Sequence, residues 1–192
     1  GGYGVPEHEG EERKPLKYFT EGIMERVIAG CEQAGIPVPA IIIEPGRWIV
    51  SEAGITLYKV GSIKEIPGVM TYVSVDGGMT DNPRPALYGA KYWGVVANRA
   101  DEFAGKKVTI VGKCCESGDV LMKDVMVTDQ ITRGDILAVF NTGAYNFSMA
   151  NNYNRLPRPA VVLVREGNAY VIVNRQNYDD LLSGEMIPDH LR

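Results

Sequence analysis

The sequence predicts an α/β element that gives way near residue 55 to a mostly antiparallel β domain. One long helical periodicity leads into an aliphatic run that stops abruptly at Ile43-Glu44-Pro45-Gly46-Arg47, and from residue 69 onward short β-branched runs alternate with turn residues. A chain of 192 residues with 45% hydrophobic content can bury the core of one domain or of two small ones. Its net charge of -4 and pI near 5.3 leave no Lys/Arg surface to neutralise phosphates, so nucleic acid is not an expected partner. No apolar run reaches the roughly 20 residues of a membrane span, and the amino end lacks a signal-peptide pattern. A cytoplasmic protein without membrane contact is therefore expected. Cys31, Cys114 and Cys115 form no even disulfide framework and lack zinc-ligand spacing, which predicts reduced thiols and no metal site.

In chain order, Gly1-Gly2-Tyr3-Gly4 opens without an initiating Met, so the chain reads as a fragment. Glycine amides can close around an anion, but with no strand before them they read equally as a loose tail. Residues 7–17 are polar and predict a solvated loop. From Leu16 to Ala34, apolar Leu16, Phe19, Ile23, Val27, Ile28 and Cys31 recur every three or four residues, the mark of an amphipathic helix, and Gly35 suits its C′ position. Ala40 to Ile43 has the unbroken aliphatic character of a parallel strand covered on both faces. Pro45 ends such a ladder and Gly46 allows close approach of the backbone, which places Glu44 and Arg47 where α/β folds bind ligands. A turn with an exposed ion pair accounts for the same residues.

Trp48 to Val60 continues apolar, and beyond that the pattern turns to strands. Residues 69–75, 108–111, 120–127, 136–140, 160–164 and 169–173 are rich in β-branched side chains. They are bounded by the turn signals Asp76-Gly77-Gly78, Gly105-Lys106-Lys107, Arg133-Gly134-Asp135 and Glu166-Gly167-Asn168. A sandwich or barrel is the natural outcome. Polar clusters sit at the strand ends. Arg84 and Tyr88, four residues apart in residues 81–88, share one face of a short helix, as a surface pair would also do. Residues 112–119 place two thiols and two carboxyl groups between strands, although burial is the commoner fate of a thiol. Tyr145 follows the small residues Gly143 and Ala144, suited to packing or to a phenol aimed at a phosphate. Residues 151–154 read as a turn with capping amides.

Taken in order, Gly1-Gly2, Glu44-Pro45-Gly46-Arg47, Val75-Asp76-Gly77-Gly78-Met79, Arg84-Pro85-Ala86-Leu87-Tyr88, Cys115-Glu116-Ser117-Gly118-Asp119, Gly134-Asp135, Gly143-Ala144-Tyr145 and Asn152-Tyr153-Asn154 resemble the carboxyl-terminal half of the diaminopimelate decarboxylases. These belong to the alanine-racemase-like decarboxylases that use pyridoxal phosphate. The resemblance implies the end of a (β/α)8 barrel over residues 1–52, followed over residues 53–192 by a mostly antiparallel β-barrel or sandwich domain carrying substrate-reading and dimer-interface motifs. It implies that Gly1, Gly2 and Gly46 offer amides to the cofactor phosphate, with Tyr145 adding a phenol and Glu44 nearby. Arg47 would pair with the phosphate or with the substrate carboxylate. Arg84 and Tyr88 would read the far end of the substrate, where diaminopimelate carries its second carboxylate, with Tyr145 also at the substrate. Cys115, as proton donor, and Glu116, holding the substrate amine, would reach the active site of the other subunit of a two-fold homodimer. Cys114 has no role in the resemblance.

The implied reaction converts meso-2,6-diaminopimelate to L-lysine and CO2. The lysine that carries the cofactor belongs to the amino half of such enzymes, so these residues alone are expected to be inactive. Two alternatives stay open: a decarboxylase of another basic amino acid of the ornithine or arginine type, and a noncatalytic regulatory relative of the same fold.

Overall fold

A computed structural model describes residues 1–191. Helix α1 (Leu16–Ala34) and the short α2 (Gly46–Val50) precede strands β1 (Thr56–Ile66) and β2 (Met70–Val75). The short helix α3 (Arg84–Tyr88) follows, then β3 (Gly94–Val96), β4 (Lys106–Val111), β5 (Val120–Val127), β6 (Ile136–Val139) and α4 (Asn146–Met149). Strands β7 (Val161–Arg165) and β8 (Asn168–Val173) and helix α5 (Tyr178–Leu182) complete the chain.

Helix α1 has the bounds that its periodicity predicts. It stops because Gly35 adopts the left-handed conformation at φ 65°, from which its amide caps the carbonyls of Cys31 and Glu32. Its apolar stripe is only partly covered: Cys31 is buried, whereas Ile23 and Ile28 stay exposed. Tyr3, buried, packs edge-on against Phe19 with ring centroids 5.4 Å apart, which ties the amino-terminal segment to the helix. The predicted strand at Ala40–Ile43 does not form. A strand needs a neighbour to take its amides, none pairs with this segment among the described residues, and Ile42 is 90% exposed.

The β domain matches the predicted class. Six strands in the order β3-β6-β1-β2-β4-β5 make a near-closed barrel, antiparallel throughout except for β2 against β4. The parallel pair is permitted by the long connection through α3 and β3. Strand β1 organises the sheet. Its first half pairs with β6 and its second with β2, and the register shifts between Val60 and Ile63. Gly61 makes that bulge possible, since a Cβ there would lie 2.9 Å from Ser74 Oγ, the same hydroxyl that receives the Ser62 amide at 2.7 Å. Alternate residues of β2 point inward, and Tyr58, Val73, Val75, Val108, Ile110 and Leu137 form the core between the strands.

Two local expectations change. Lys106 and Lys107 belong to β4 and pair with Val127 and Met126, so no turn forms there. The strands β7 and β8 are joined by the expected tight turn, with Glu166 at φ 52° and Gly167 at φ 78°, but they make a separate two-stranded sheet exposed on both faces. Among the described residues no helix is long and apolar enough to cross a membrane, and no group of His, Cys, Asp or Glu could hold a metal ion. The three cysteines are free thiols.

Candidate functional site

The candidate residues fall into two constellations, both built on loops at strand ends. In the first, Pro83 starts α3 and Gly89, left-handed at φ 61°, ends it, which fixes Arg84 and Tyr88 on one short helix as their spacing predicts. The guanidinium of Arg84 lies 5.2 Å from the ring centre of Tyr145 and 6.0 Å from that of Tyr88, and Nη1 donates to Tyr92 Oη at 3.2 Å. Three phenol side chains thus surround a half-buried cation, and among the described residues no carboxylate pairs with it. Among the described residues the surface ion pair that would explain Arg84 without function is not present. Tyr145 is itself unusual, a non-glycine residue at φ 69°.

What sets Tyr145 in place is the loop before it. Gly143 donates to Ser51 O at 2.9 Å, Thr142 donates to Gly54 O at 3.0 Å, and a Cβ on Gly143 would lie 1.9 Å from Val50 O. Backbone packs on backbone here, and only glycine fits. Asn141 Nδ2 reaches Pro6 O at 2.7 Å, so the same loop also holds the amino-terminal segment. In that segment Arg47 Nη2 donates to Tyr3 O at 3.4 Å, and a Cβ on Gly1 would lie 3.6 Å from Glu44 O. Gly1, Gly2, Glu44, Gly46 and Arg47 therefore form one neighbourhood, tied through Asn141 and Gly143 to the loop that carries Tyr145. Glu44 is exposed and forms no ion pair with Arg47.

The loop before α3 is anchored from below. Asp81, buried, takes the hydroxyl of Tyr58 and the amide of Gly78 (2.8 Å); burial pushes its carboxyl above the ordinary value, against the pull of those two hydrogen bonds. Burial, then the nearby Asp81 carboxyl, pushes the Tyr58 phenol up in turn. Asp119 is the second anchor. One carboxyl oxygen accepts from Met79 N at 2.7 Å and the other from Cys114 N at 2.8 Å.

That second bond leads into the other constellation, the β4–β5 loop. Cys115 is exposed, and its amide donates to Asn154 Oδ1 at 2.6 Å. Glu116 accepts from Gly118 N at 3.1 Å, Ser117 Oγ at 3.3 Å and Tyr153 Oη at 3.3 Å, and these bonds hold its carboxyl below the ordinary value. Cys114 is half-buried; burial and then the adjacent Asp119 push its thiol up to about 11, which makes it a poor nucleophile and an inert packing group. Among the described residues no hydrogen bond or ring contact joins Cys115 or Glu116 to Arg84, Tyr88 or Tyr145. A depression of ≈ 500 Å³ lined by Lys59, Asp76 and Arg133 contains none of these residues.

Sequence reasoning missed Tyr92 and Asn146, which meet behind Arg84, and gave the amides at residues 151–154 a capping role and a place in the resemblance but no site role. No local pattern marks Tyr92. Asn154 carries a signal in principle, since asparagine is among the residues that tolerate its φ of 53°.

Residues 47–143 match the family model for the C-terminal sheet domain of pyridoxal-dependent decarboxylases. The diaminopimelate decarboxylase of Bacillus subtilis is 53% identical over 95% of the chain, covering 41% of that protein. That of Synechocystis is 45% identical over 100% of the chain and 40% of its own length. The crystal structure of the M. jannaschii diaminopimelate decarboxylase, also known in complex with L-lysine, superposes with a TM-score of 0.87 at 35% identity, covering 98% of this chain and 42% of that one. A lysine/ornithine decarboxylase of Vibrio vulnificus shares the fold, with a TM-score of 0.62 at 21% identity. The chain spans about two fifths of the length of these relatives.

Proposed function

Because the chain belongs to the pyridoxal-dependent decarboxylases, whose C-terminal sheet domain it carries, we propose that it serves an enzyme converting meso-2,6-diaminopimelate to L-lysine and CO2. The observation that carries this reading is Arg84. A half-buried guanidinium flanked by phenols, with no carboxylate partner among the described residues, is suited to receive an anion. Diaminopimelate ends in a second carboxylate that would fill it. A substrate of the ornithine type ends in an amine, which Arg84 would repel.

The residues present fit a pyridoxal phosphate. Gly2, at φ 89°, and Gly46 each have no heavy atom within 4 Å of where a Cβ would stand, so their backbone faces open space that a phosphate could enter. With Arg47 in the same segment, and Tyr145 on the loop that Asn141 and Gly143 tie to it, this donor set suits a phosphate ester. When bound, the cofactor supplies the electron sink for the pair released with CO2. The residues of this chain bind and orient: Gly1, Gly2 and Gly46 hold the phosphate, Arg47 neutralises it or the α-carboxylate, Glu44 lies beside it, and Arg84, Tyr88 and Tyr145 grip the distal end. Cys115 is suited to return a proton to the α-carbon and Glu116, held anionic by three donors, to hold an amine. In this reading they serve the partner's site across a two-fold homodimer.

In this reading residues 1–52 complete a (β/α)8 barrel and residues 53–192 form the β domain, with the Gly54–Gly143 contact at the junction. The activity is placed in the cytoplasm, where three free thiols stay reduced. Assaying CO2 release by the full-length enzyme from meso-diaminopimelate and from ornithine tests the proposal. Turnover of the first alone is expected. Preference for ornithine would move the substrate assignment, and no turnover of either would favour a noncatalytic relative.

A further inference from the structure

Tyr92 is buried in the hydrophobic core, where phenylalanine would pack as well, and yet it carries a hydroxyl. That hydroxyl accepts from Arg84 Nη1 at 3.2 Å. Since the donor is a cation that cannot accept in return, the phenol proton must go elsewhere, and Asn146 Oδ1 stands at 3.4 Å to take it. Asn146, only 5% exposed, is the first residue of α4 and follows Tyr145 directly, whose ring lies over the same guanidinium. Its Nδ2 has no partner among the described residues, so the side chain is oriented by the acceptor it presents to Tyr92 at the cost of that unpaired amide. One chain of bonds thus runs from α4 through the core to the edge of the guanidinium, while Tyr145 lies at the ring-contact distance from it.

We propose that Tyr92, oriented by Asn146, is a positioning residue that sets the guanidinium of Arg84 for the distal carboxylate of the substrate. The proposal rests on the reading of Arg84 given above. An arginine has four side-chain torsions and loses binding when it must be immobilised by its ligand; a prior bond from Tyr92 removes part of that loss before the substrate arrives. Only one of the five guanidinium N–H groups is used in this way, which leaves a pair free for a carboxylate.

A double-mutant cycle in the full-length holoenzyme tests this, with kcat and KM for meso-diaminopimelate measured separately. Tyr92→Phe is expected to raise KM about five- to twentyfold and to change kcat by less than about threefold. In an Arg84→Ala background the same substitution should change kcat/KM by less than about twofold, because nothing remains to be positioned. Equal losses in both backgrounds, or no loss with Arg84 present, would overturn the proposal while leaving Arg84 at the substrate. If Arg84→Ala alone changes kcat/KM by less than about threefold, the substrate reading itself falls and takes the proposal with it. Should Tyr92→Phe fail to fold, as judged by its melting curve and visible absorption, Asn146→Ala in the same cycle removes the acceptor instead. It should raise KM about threefold through Arg84 only, and additivity would overturn the proposal.

Discussion

Replacing Asp119 by asparagine should loosen two loops at once, the one that leads into α3 and the one that carries Cys115 and Glu116. Asp119 is buried, and its two oxygens receive Met79 N at 2.7 Å and Cys114 N at 2.8 Å. The carboxyl fits there because Gly78 and Gly112 have no side chains: a Cβ on either would come within 2.5 Å or 2.1 Å of Asp119 Oδ2. Asparagine keeps the shape and one acceptor oxygen but turns an NH2 toward the other amide. A buried amide without an acceptor costs about 1 to 3 kcal/mol, and the surviving bond loses its charge assistance, so the loss should be about 2 to 4 kcal/mol. Hydrogen exchange of the full-length enzyme reads this locally. Protection in residues 76–82 and 112–119 should fall together, by about 30-fold to 1000-fold, with β1 and β6 little affected. Activity should fall as well, since both constellations rest on this group. Unchanged protection in both loops with a stability loss below about 0.5 kcal/mol would refute the reasoning, and loss in one loop alone would show that Asp119 does not couple them.

Arg84→Ala should lower kcat/KM for meso-diaminopimelate about 30-fold to 1000-fold, the worth of about 2 to 4 kcal/mol for a charge-assisted bond in a dry site, with the cofactor's visible absorption retained; a change under about threefold would place Arg84 outside the site. Gly143→Ala puts a methyl group 1.9 Å from Val50 O, backbone that cannot swing aside, so it should cost about 3 kcal/mol in unfolding experiments and displace Tyr145. Cys115→Ala should lower kcat while leaving thermal stability within about 0.5 kcal/mol, as the side chain is exposed, whereas Cys114→Ala should spare kcat. Asp135 supplies a pH test. Burial acts to raise its carboxyl, but Asn98, the Thr132 amide and Arg99 outweigh it and hold the group below its ordinary value. A carboxyl depressed on folding stabilises above its unfolded pKa and loses that contribution as pH falls through the folded one. Asp135→Asn should therefore flatten the fall in urea midpoint below about pH 4, and an unchanged profile would count against the assignment.

What the sequence determined by itself is whatever a few adjacent residues settle among themselves. Gly35 can turn left-handed where other residues resist, so α1 ends there; Glu166-Gly167 makes a tight hairpin; a proline before and a glycine after Arg84-Pro85-Ala86-Leu87-Tyr88 bound one short helix. The ordered motifs also brought Arg84, Tyr88, Tyr145, Cys115 and Glu116 to notice, because unusual polar residues at strand ends are visible without coordinates. Tertiary structure decided what depends on a distant partner. The run Ala40–Ile43 has every strand preference and forms no strand, because no other segment among the described residues takes its hydrogen bonds. The pairing of β1 with both β6 and β2 turns on a bulge at Gly61 that fits only against Ser74. Tyr92 reads as an ordinary aromatic until Arg84 is found at one side of its hydroxyl and Asn146 at the other. Propensity belongs to a residue and its neighbours in the chain, whereas a hydrogen bond across the fold needs two residues whose meeting neither one encodes.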